Sequence, residues 1–317
     1  MADQKTIVVL GSLNMDLMVR ARRAPGGGET LPGQAFYTIP GGKGANQALA
    51  VSRLGGRAAM VGRVGADGFG EQMSQNLADN AVDIRFVRHE TGVSSGVALI
   101  VVEENGENRI IVVPGTNGMV SREDVDGAMD IIRGAGLLVM QFEIDPGVVA
   151  YAADLAFRQA VPVLLNPSPP YDVADDLLHK VTYLVLNEHE AEQLSGLKVS
   201  DPQSAEAAAS VLQKRGAGTV ILTLGGQGVV AASAAQALRL PAYPVEVVDT
   251  TAAGDAFIGG LTVSLMEVES LHSALQFASA AGALTVTRLG AQTSIPNRQE
   301  VLDFLGKQAF SLDMKCS

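Results

Sequence analysis

The chain has 317 residues, 47% hydrophobic and 18% charged, with a formal charge of −11, enough for one large α/β domain or two smaller ones. The acidity excludes nucleic acid as a general partner, because binding a phosphate backbone needs a basic face, yet local N–H groups could still hold a small anionic cofactor. No stretch approaches the roughly 18 apolar residues of a membrane-spanning helix, no cleavage pattern follows the N-terminal apolar run, and the one cysteine, Cys316, excludes a disulfide framework, so a cytoplasmic protein without a membrane partner is expected.

Thr6–Leu10 is a nearly continuous β-branched run ending at Gly11, the pattern of a strand buried on both faces. Only one glycine follows it, so a nicotinamide dinucleotide fingerprint is missing. Asn14 and Asp16 fall just beyond this strand's carboxyl end, where open α/β sheets bind ligands, although both are also ordinary turn residues. Residues 25–30 form a turn and Gln34–Ile39 an edge or lid strand. The glycine-rich loop Pro40–Asn46 then opens a helix to about Leu54. It lacks Walker A spacing, so its glycines would let backbone approach a polar ligand, with Lys43 and Asn46 as donors.

Arg57–Val64 reads as a strand and Glu71–Asn80 as a helix. Val97–Glu103 and Arg109–Val113 alternate around Glu104–Asn108, a hairpin inserted like a lid into an otherwise βα chain. Gly92–Gly96 matches G-x-S-x-G by letter, but a strand rather than a helix follows, so no hydrolase elbow is expected. From Ser121 the alternation is regular. Helices capped at Ser121, Asp145 and Asp201 separate strands at Leu137–Met140, Val161–Leu165, Tyr183–Leu186 and Thr219–Leu222. Each strand ends in polar residues, so a mostly parallel α/β sheet covered on both faces should gather them along one edge. No linker or repeat appears, and one domain, 1–317, with a small β-sheet lid from about 14–40 and 95–114 is expected.

The stretch Val247–Gly260 organises the rest. An apolar strand end at Val245–Val248 runs into Asp249-Thr250-Thr251, then Ala252-Ala253-Gly254-Asp255, then a helix from Ala256 to Leu265. A helix start carries unpaired N–H groups and partial positive charge, which suit a phosphoryl oxygen. Asp255 in that first turn is either a simple helix-favouring acid or, beside an anion cradle, a base for a hydroxyl that attacks the phosphoryl group. Leu271–Val286 and Asn297–Lys307 read as helices, with a loop at 287–295 between them and a loose tail from Gln308. The histidines, 89, 179, 189 and 272, show no metal-ligand spacing.

GSLNMD near the start, GGKGAN at 41–46, NEHE at 187–190, TLGGQG at 223–228 and DTTAAGD at 249–255 together resemble the ribokinase branch of the ribokinase-like (PfkB) carbohydrate kinases, in family order from about Thr6 to Phe304. The resemblance implies ATP-dependent phosphorylation of the D-ribose 5-hydroxyl, with Asp255 as catalytic base and an anion hole at Ala252, Ala253 and Gly254. It places ribose on Asn14, Asp16, Gly42, Lys43, Asn46, Glu143 and Asp255, and the nucleotide on Asn187, Thr223, Gly225, Gly226, Gly228, Gly254 and Ser279. Glu190 would organise Mg²⁺. Asp249, Thr251, Thr285, Arg288, Gly290 and Ser294 would hold a K⁺-type monovalent ion. At Ser279 relatives often carry Asn or His, and NEHE also reads as a plain capped helix start. Exposed lid strands need a partner along their edges, so a homodimer through the lid is expected. A related kinase acting on 2-deoxyribose, fructose or adenosine, and a sugar sensor without turnover, are the alternatives.

Overall fold

The computed structural model describes residues 5–105, 107–267 and 270–313. The opening apolar run forms β1 (Ile7–Leu10), followed by β2 (Asn14–Ala21), β3 (Ala35–Gly41) and α1 (Lys43–Arg53). Then come β4 (Ala58–Gly65), α2 (Gly68–Asp79), β5 (Asp83–Glu90), β6 (Gly96–Glu103) and β7 (Asn108–Val113). A 3₁₀ turn at Gly115–Met119 leads to α3 (Arg122–Gly127) and α4 (Met129–Arg133). The regular alternation follows as β8 (Leu137–Gln141), α5 (Pro146–Arg158), β9 (Val163–Asn166), α6 (Asp175–Leu178), β10 (Tyr183–Asn187) and α7 (Glu188–Ser195). The chain closes with α8 (Pro202–Lys214), β11 (Thr219–Thr223), β12 (Val229–Ala232), β13 (Ala237–Leu240), α9 (Ala253–Glu267), α10 (Leu271–Thr285) and α11 (Arg298–Asp313).

The helix starts are where side chains can take up orphan N–H groups. Ser121 and Asp124 form a capping box, and Asp145 and Asp201 accept from the first turns of α5 and α8, each with proline at the entry. These matches follow the expected boundaries. At α2 the start moves to Gly68 because Asp67 Oδ1 accepts from Gly70 N at 2.8 Å.

Nine strands form one sheet in the order β13-β12-β11-β10-β9-β8-β1-β4-β5, and β3-β2-β6-β7 form a second. In the large sheet β5 through β11 run parallel, while β12 and β13 turn back antiparallel. Alternation along each strand feeds two cores. Val8, Leu10, Leu138 and Met140 face one layer with α5 and α8, whereas Ile7, Val9, Leu137 and Val139 face the other with α1, α9 and α10. Both faces are therefore covered, as a parallel sheet requires.

Three strands were not anticipated. β5 is an edge strand with a charged face (Asp83, Arg85, Arg88, Glu90), and β12 and β13 are four residues each, so neither shows a long apolar run. Conversely, Val245–Val248 is not a strand. Pro241 and Pro244 remove ladder donors, Val247 and Val248 are 60% and 57% exposed, and the N–H groups of Val248 and Asp249 both donate to the Val286 carbonyl at the end of α10. The last helix also runs past Lys307 to Asp313, so the start of the expected tail is helical; Cys316 lies outside the described residues.

Candidate active site

Because β11, β10, β9, β8 and β1 are parallel neighbours, their carboxyl ends lie in one row. Thr223, Asn187, Asn166, Gln141 with Glu143, and Ser12 with Asn14 follow in that order across the sheet. This is the edge the sequence was expected to build, and α9 delivers Asp255 over it.

Asp255 is 6% exposed. Asn46 Nδ2 donates to its Oδ2 and Gln47 Nε2 to its Oδ1, both at 2.9 Å. Helix packing sets this reach. Gly259, one turn after Asp255, lies against Ala50, one turn after Asn46, so closely that a Cβ at 259 would overlap the Ala50 methyl and stand 3.0 Å from its carbonyl carbon. Burial pushes the Asp255 carboxyl up, while Lys43 and the two amide donors oppose the rise and Glu143 adds to it. Such a carboxylate can take a proton from a hydroxyl.

In the turn before α9 the residue with positive φ is Ala252 (φ 61°), whereas a Cβ at Gly254 would meet nothing within 4 Å. Gly254 thus keeps the space over the helix start open, and Ala252 carries the strained turn that aims it. Ala253 N–H makes a 3.3 Å bond to the Thr250 carbonyl.

On the side of the small sheet, Glu143 Oε2 accepts from Ser12 Oγ at 2.5 Å, Lys43 N at 3.0 Å and Asn14 Nδ2 at 3.4 Å. Asn117 Nδ2 holds the Asn14 amide at 2.7 Å and the Leu13 carbonyl at 3.0 Å. Gly42 has φ 88°, and a Cβ there would stand 2.6 Å from Asn14 N, so only glycine lets α1 start this close to β2. Asp16 is raised to about 7 by burial and by the charges of Glu143 and Asp255. Burial disfavours the Lys43 ammonium, but Asp255, Glu143 and Glu190 outweigh it and hold its pKa above the usual value.

Two adjoining cavities meet at Gly254, and Asp255 lines the first. One of about 580 Å³ is lined by Lys43, Asn166, Asn187, Glu190, Thr223 and Asp255 among others. A second of about 480 Å³ is mostly apolar, with Tyr243, Val245, Phe257 and Val286 around Ser279, Gly226 and Gly228. Thr223, Gly225, Thr250 and Gly254 border both. Asn14, Asp16, Gly42, Asn46 and Glu143 line neither; they join the first through Lys43 and Asp255. Asn187 and Glu190 do form a reciprocal capping box, with Asn187 N donating to Glu190 Oε2 at 2.9 Å. No protein hydrogen bond among the described residues falls on Glu190 Oε1, so the helix start and a ligand role are compatible.

At the far side, Asp249 Oδ1 accepts from Thr251 N at 2.9 Å and its hydroxyl at 2.6 Å, and Oδ2 from Gly290 N at 2.9 Å. These bonds hold the Asp249 carboxyl below its usual range against the cost of burial. Ser294 and Thr285 hydroxyls donate to the carbonyls of Ala291 and Ala281, and the Arg288 guanidinium pairs with Glu300. The side-chain oxygens of Asp249 and Ser294 and the carbonyls of Thr251, Thr285, Arg288 and Gly290 are all oxygen donors, the chemistry a hard monovalent cation takes.

Sequence reasoning missed Ser12, Gln47, Asn117, Gln141 and Asn166 as site residues. Gln47 adjoined a recognised motif, and Asn166 stood at a noted strand end. Ser12 lay inside GSLNMD and Gln141 stood at another noted strand end, without either being given a role, whereas Asn117 gave no signal.

A buried carboxylate beside an anion-accepting helix start, with a polar hydroxyl-binding cluster on one side and an apolar slot on the other, defines a phosphotransferase acting on a polyol. Residues 4–298 match the model of the pfkB family carbohydrate kinases. The chain is 43% identical over 305 residues to a ribokinase of Schizosaccharomyces pombe, covering 93% of this chain and 96% of that one. It is 39% identical over 302 residues to a ribokinase of Haemophilus influenzae, covering 95% and 99%. The Arabidopsis thaliana ribokinase solved with ribose and ATP superposes with a TM-score of 0.90 at 32% identity, covering 95% of this chain and 99% of that one. The protein belongs to the pfkB family of carbohydrate kinases.

Proposed function

We propose that the protein transfers the γ-phosphoryl group of ATP to the 5-hydroxyl of D-ribose. The observation that carries this reading is the position of Asp255, between the Asp16–Lys43–Glu143 cluster and the cavity that Asn187, Glu190 and Thr223 line. Ribose lies against Asn14, Asp16, Gly42, Lys43, Asn46 and Glu143, whose acceptors suit vicinal hydroxyls. ATP places its phosphates in the polar cavity and its base in the apolar slot beside Ser279. The O5–phosphorus bond forms as the bond to the β-phosphate oxygen breaks, and Asp255 takes the O5 proton. If the transition state is loose, proton transfer is late, so Asp255 mainly orients the hydroxyl while the N–H groups of the Ala252–Gly254 turn offset developing charge.

Glu190 and Asn187 would hold Mg²⁺ through its water shell, which neutralises phosphate charge. The Asp249 loop with Thr251, Thr285, Arg288, Gly290 and Ser294 would hold K⁺, which stiffens the turn before α9. The small sheet acts as a lid over the sugar, within one domain spanning 1–317. Its two edge strands support homodimer formation through that lid: all six residues of β7 are exposed, Ile110 and Ile111 at 56% and 65%, and on β3 Phe36 is 62% exposed. No helix among the described residues is long and apolar enough to cross a membrane; use of ATP and a single cysteine support a cytoplasmic location.

The test is ADP release with MgATP over D-ribose, 2-deoxyribose, fructose and adenosine, with and without K⁺. Ribose-selective turnover that rises with K⁺ is expected. Preference for another acceptor would overturn the ribose assignment, and ribose binding without turnover would point to a sensor.

A further inference from the structure

Asp255 owes its place to amides rather than to charged partners, and those amides raise a question of orientation. A carboxylate only accepts, so Gln47 must offer its NH₂ and not its carbonyl. The fold decides which. Gln47 Oε1 accepts from Gln141 Nε2 at 2.5 Å, so its donor end is left facing Asp255 Oδ1. Both glutamines are fully buried. Gln141 Oε1 has no protein hydrogen-bond partner among the described residues and packs against Gly11, where any Cβ would overlap it. Asn46 Oδ1 is likewise buried without a protein partner among the described residues, while its NH₂ serves Asp255. A buried, unpaired amide oxygen is a cost that an apolar side chain at the end of β8 would avoid. The stability of the fold therefore does not explain Gln141; its one bond to Gln47 does.

We propose that Gln141 is a positioning residue for phosphoryl transfer, locking the Gln47 amide so that it donates to Asp255 and keeps that carboxylate an acceptor aimed at the substrate hydroxyl. The inference rests on the sugar-kinase reading of the site. The chain runs from the strand end through α1 to α9, so the sheet, the glycine-loop helix and the base are fixed as one unit. The charged groups that face Asp255 are Lys43 at the start of α1, Glu143 beyond β8 and Asp16 on β2. Substitutions at 141 leave all three in place.

The experiment compares Gln141→Met and Gln141→Glu with the wild type in kcat, KM for ribose and ATP, the pH profile of kcat, and Tm. Methionine keeps the shape, removes the unpaired oxygen and cannot donate, so Gln47 is released. Expected are a Tm at or above wild type, KM values within about twofold, and kcat lower by about tenfold, the value of one hydrogen bond felt only at the reacting group. Glutamate instead demands a donor from Gln47, which turns the Gln47 carbonyl toward Asp255. The acid limb of its kcat profile should move up by about one pH unit.

A Gln141→Met variant with wild-type kcat overturns the inference, as does a kcat loss that merely follows a fall in Tm. An acid limb that stays put in folded Gln141→Glu does so too, and if that variant does not fold, the methionine comparison decides. Absence of ribose phosphorylation by the wild type would overturn the kinase reading and this inference together, whereas an active wild type with unaffected variants overturns this inference alone.

Discussion

Sugar affinity should depend on pH through Asp16. Three carboxylates, Asp16, Glu143 and Asp255, face one another around a single ammonium, Lys43, and burial together with the two neighbouring charges lifts Asp16 to about 7. Ribose hydroxyls donate to the ionised form, so binding must expel the proton where Asp16 is still protonated. With a midpoint of about 7, roughly nine-tenths of Asp16 is ionised at pH 8 and about one-tenth at pH 6, so the Kd for ribose should rise about tenfold between them. Titration calorimetry without ATP isolates this step from catalysis, and running it in buffers of different ionisation enthalpy counts the proton released. The stability effect has the opposite sense. The raised pKa means the folded state holds the proton more tightly than the unfolded chain, so this contribution is complete below the unfolded value and is lost as pH rises through about 7. Asp16→Asn should therefore be more stable than wild type at pH 8, with the gap narrowing below pH 7 and closing only as pH falls to the unfolded value of 3.8. A ribose Kd that is flat between pH 6 and 8, with no proton release, would exclude Asp16 as an ionising acceptor for the sugar.

Asp255→Asn should lower kcat by about 10² to 10⁴ and leave ribose Kd within a few-fold, because it removes the proton acceptor but not the sugar cluster; a near-normal kcat in stopped-flow assays would exclude Asp255 as base. Gly259→Ala forces α9 away from Ala50 and should cost about 1–3 kcal/mol in urea unfolding, with a loss of kcat as Asn46 and Gln47 lose reach to Asp255; an unchanged urea midpoint would show that the close approach is dispensable. Replacing Ile110 and Ile111 together by Glu should turn a dimer seen by light scattering into a monomer, and the same mass for both proteins would exclude β7 as the interface.

The main sheet was legible where strands were apolar on both faces, as in Ile7–Leu10 and Leu137–Gln141. Capping acids marked α3, α5 and α8 because their side chains meet a local need that sequence spacing reveals. Edge strands were harder: β5 looks like a charged surface segment because one face is solvated, and Val245–Val248 looks like a strand although Val245 and Val247 border the apolar cavity instead. At the site, glycines and Asn46 announced themselves because backbone close approach and motif spacing are local. Gln47, Gln141 and Asn117 did not, since a buried amide acquires its meaning only from a partner that the fold brings from far along the chain.

Transfer to the 5-hydroxyl is read directly from the product of D-ribose and MgATP, identified by ³¹P and ¹³C NMR. Phosphate coupled to C5, formed in step with ADP by wild type and not by Asp255→Asn, is the predicted result. Phosphate on another carbon, or ADP formed without any sugar phosphate, would contradict the placement of the ribose 5-hydroxyl between Asp255 and the helix start.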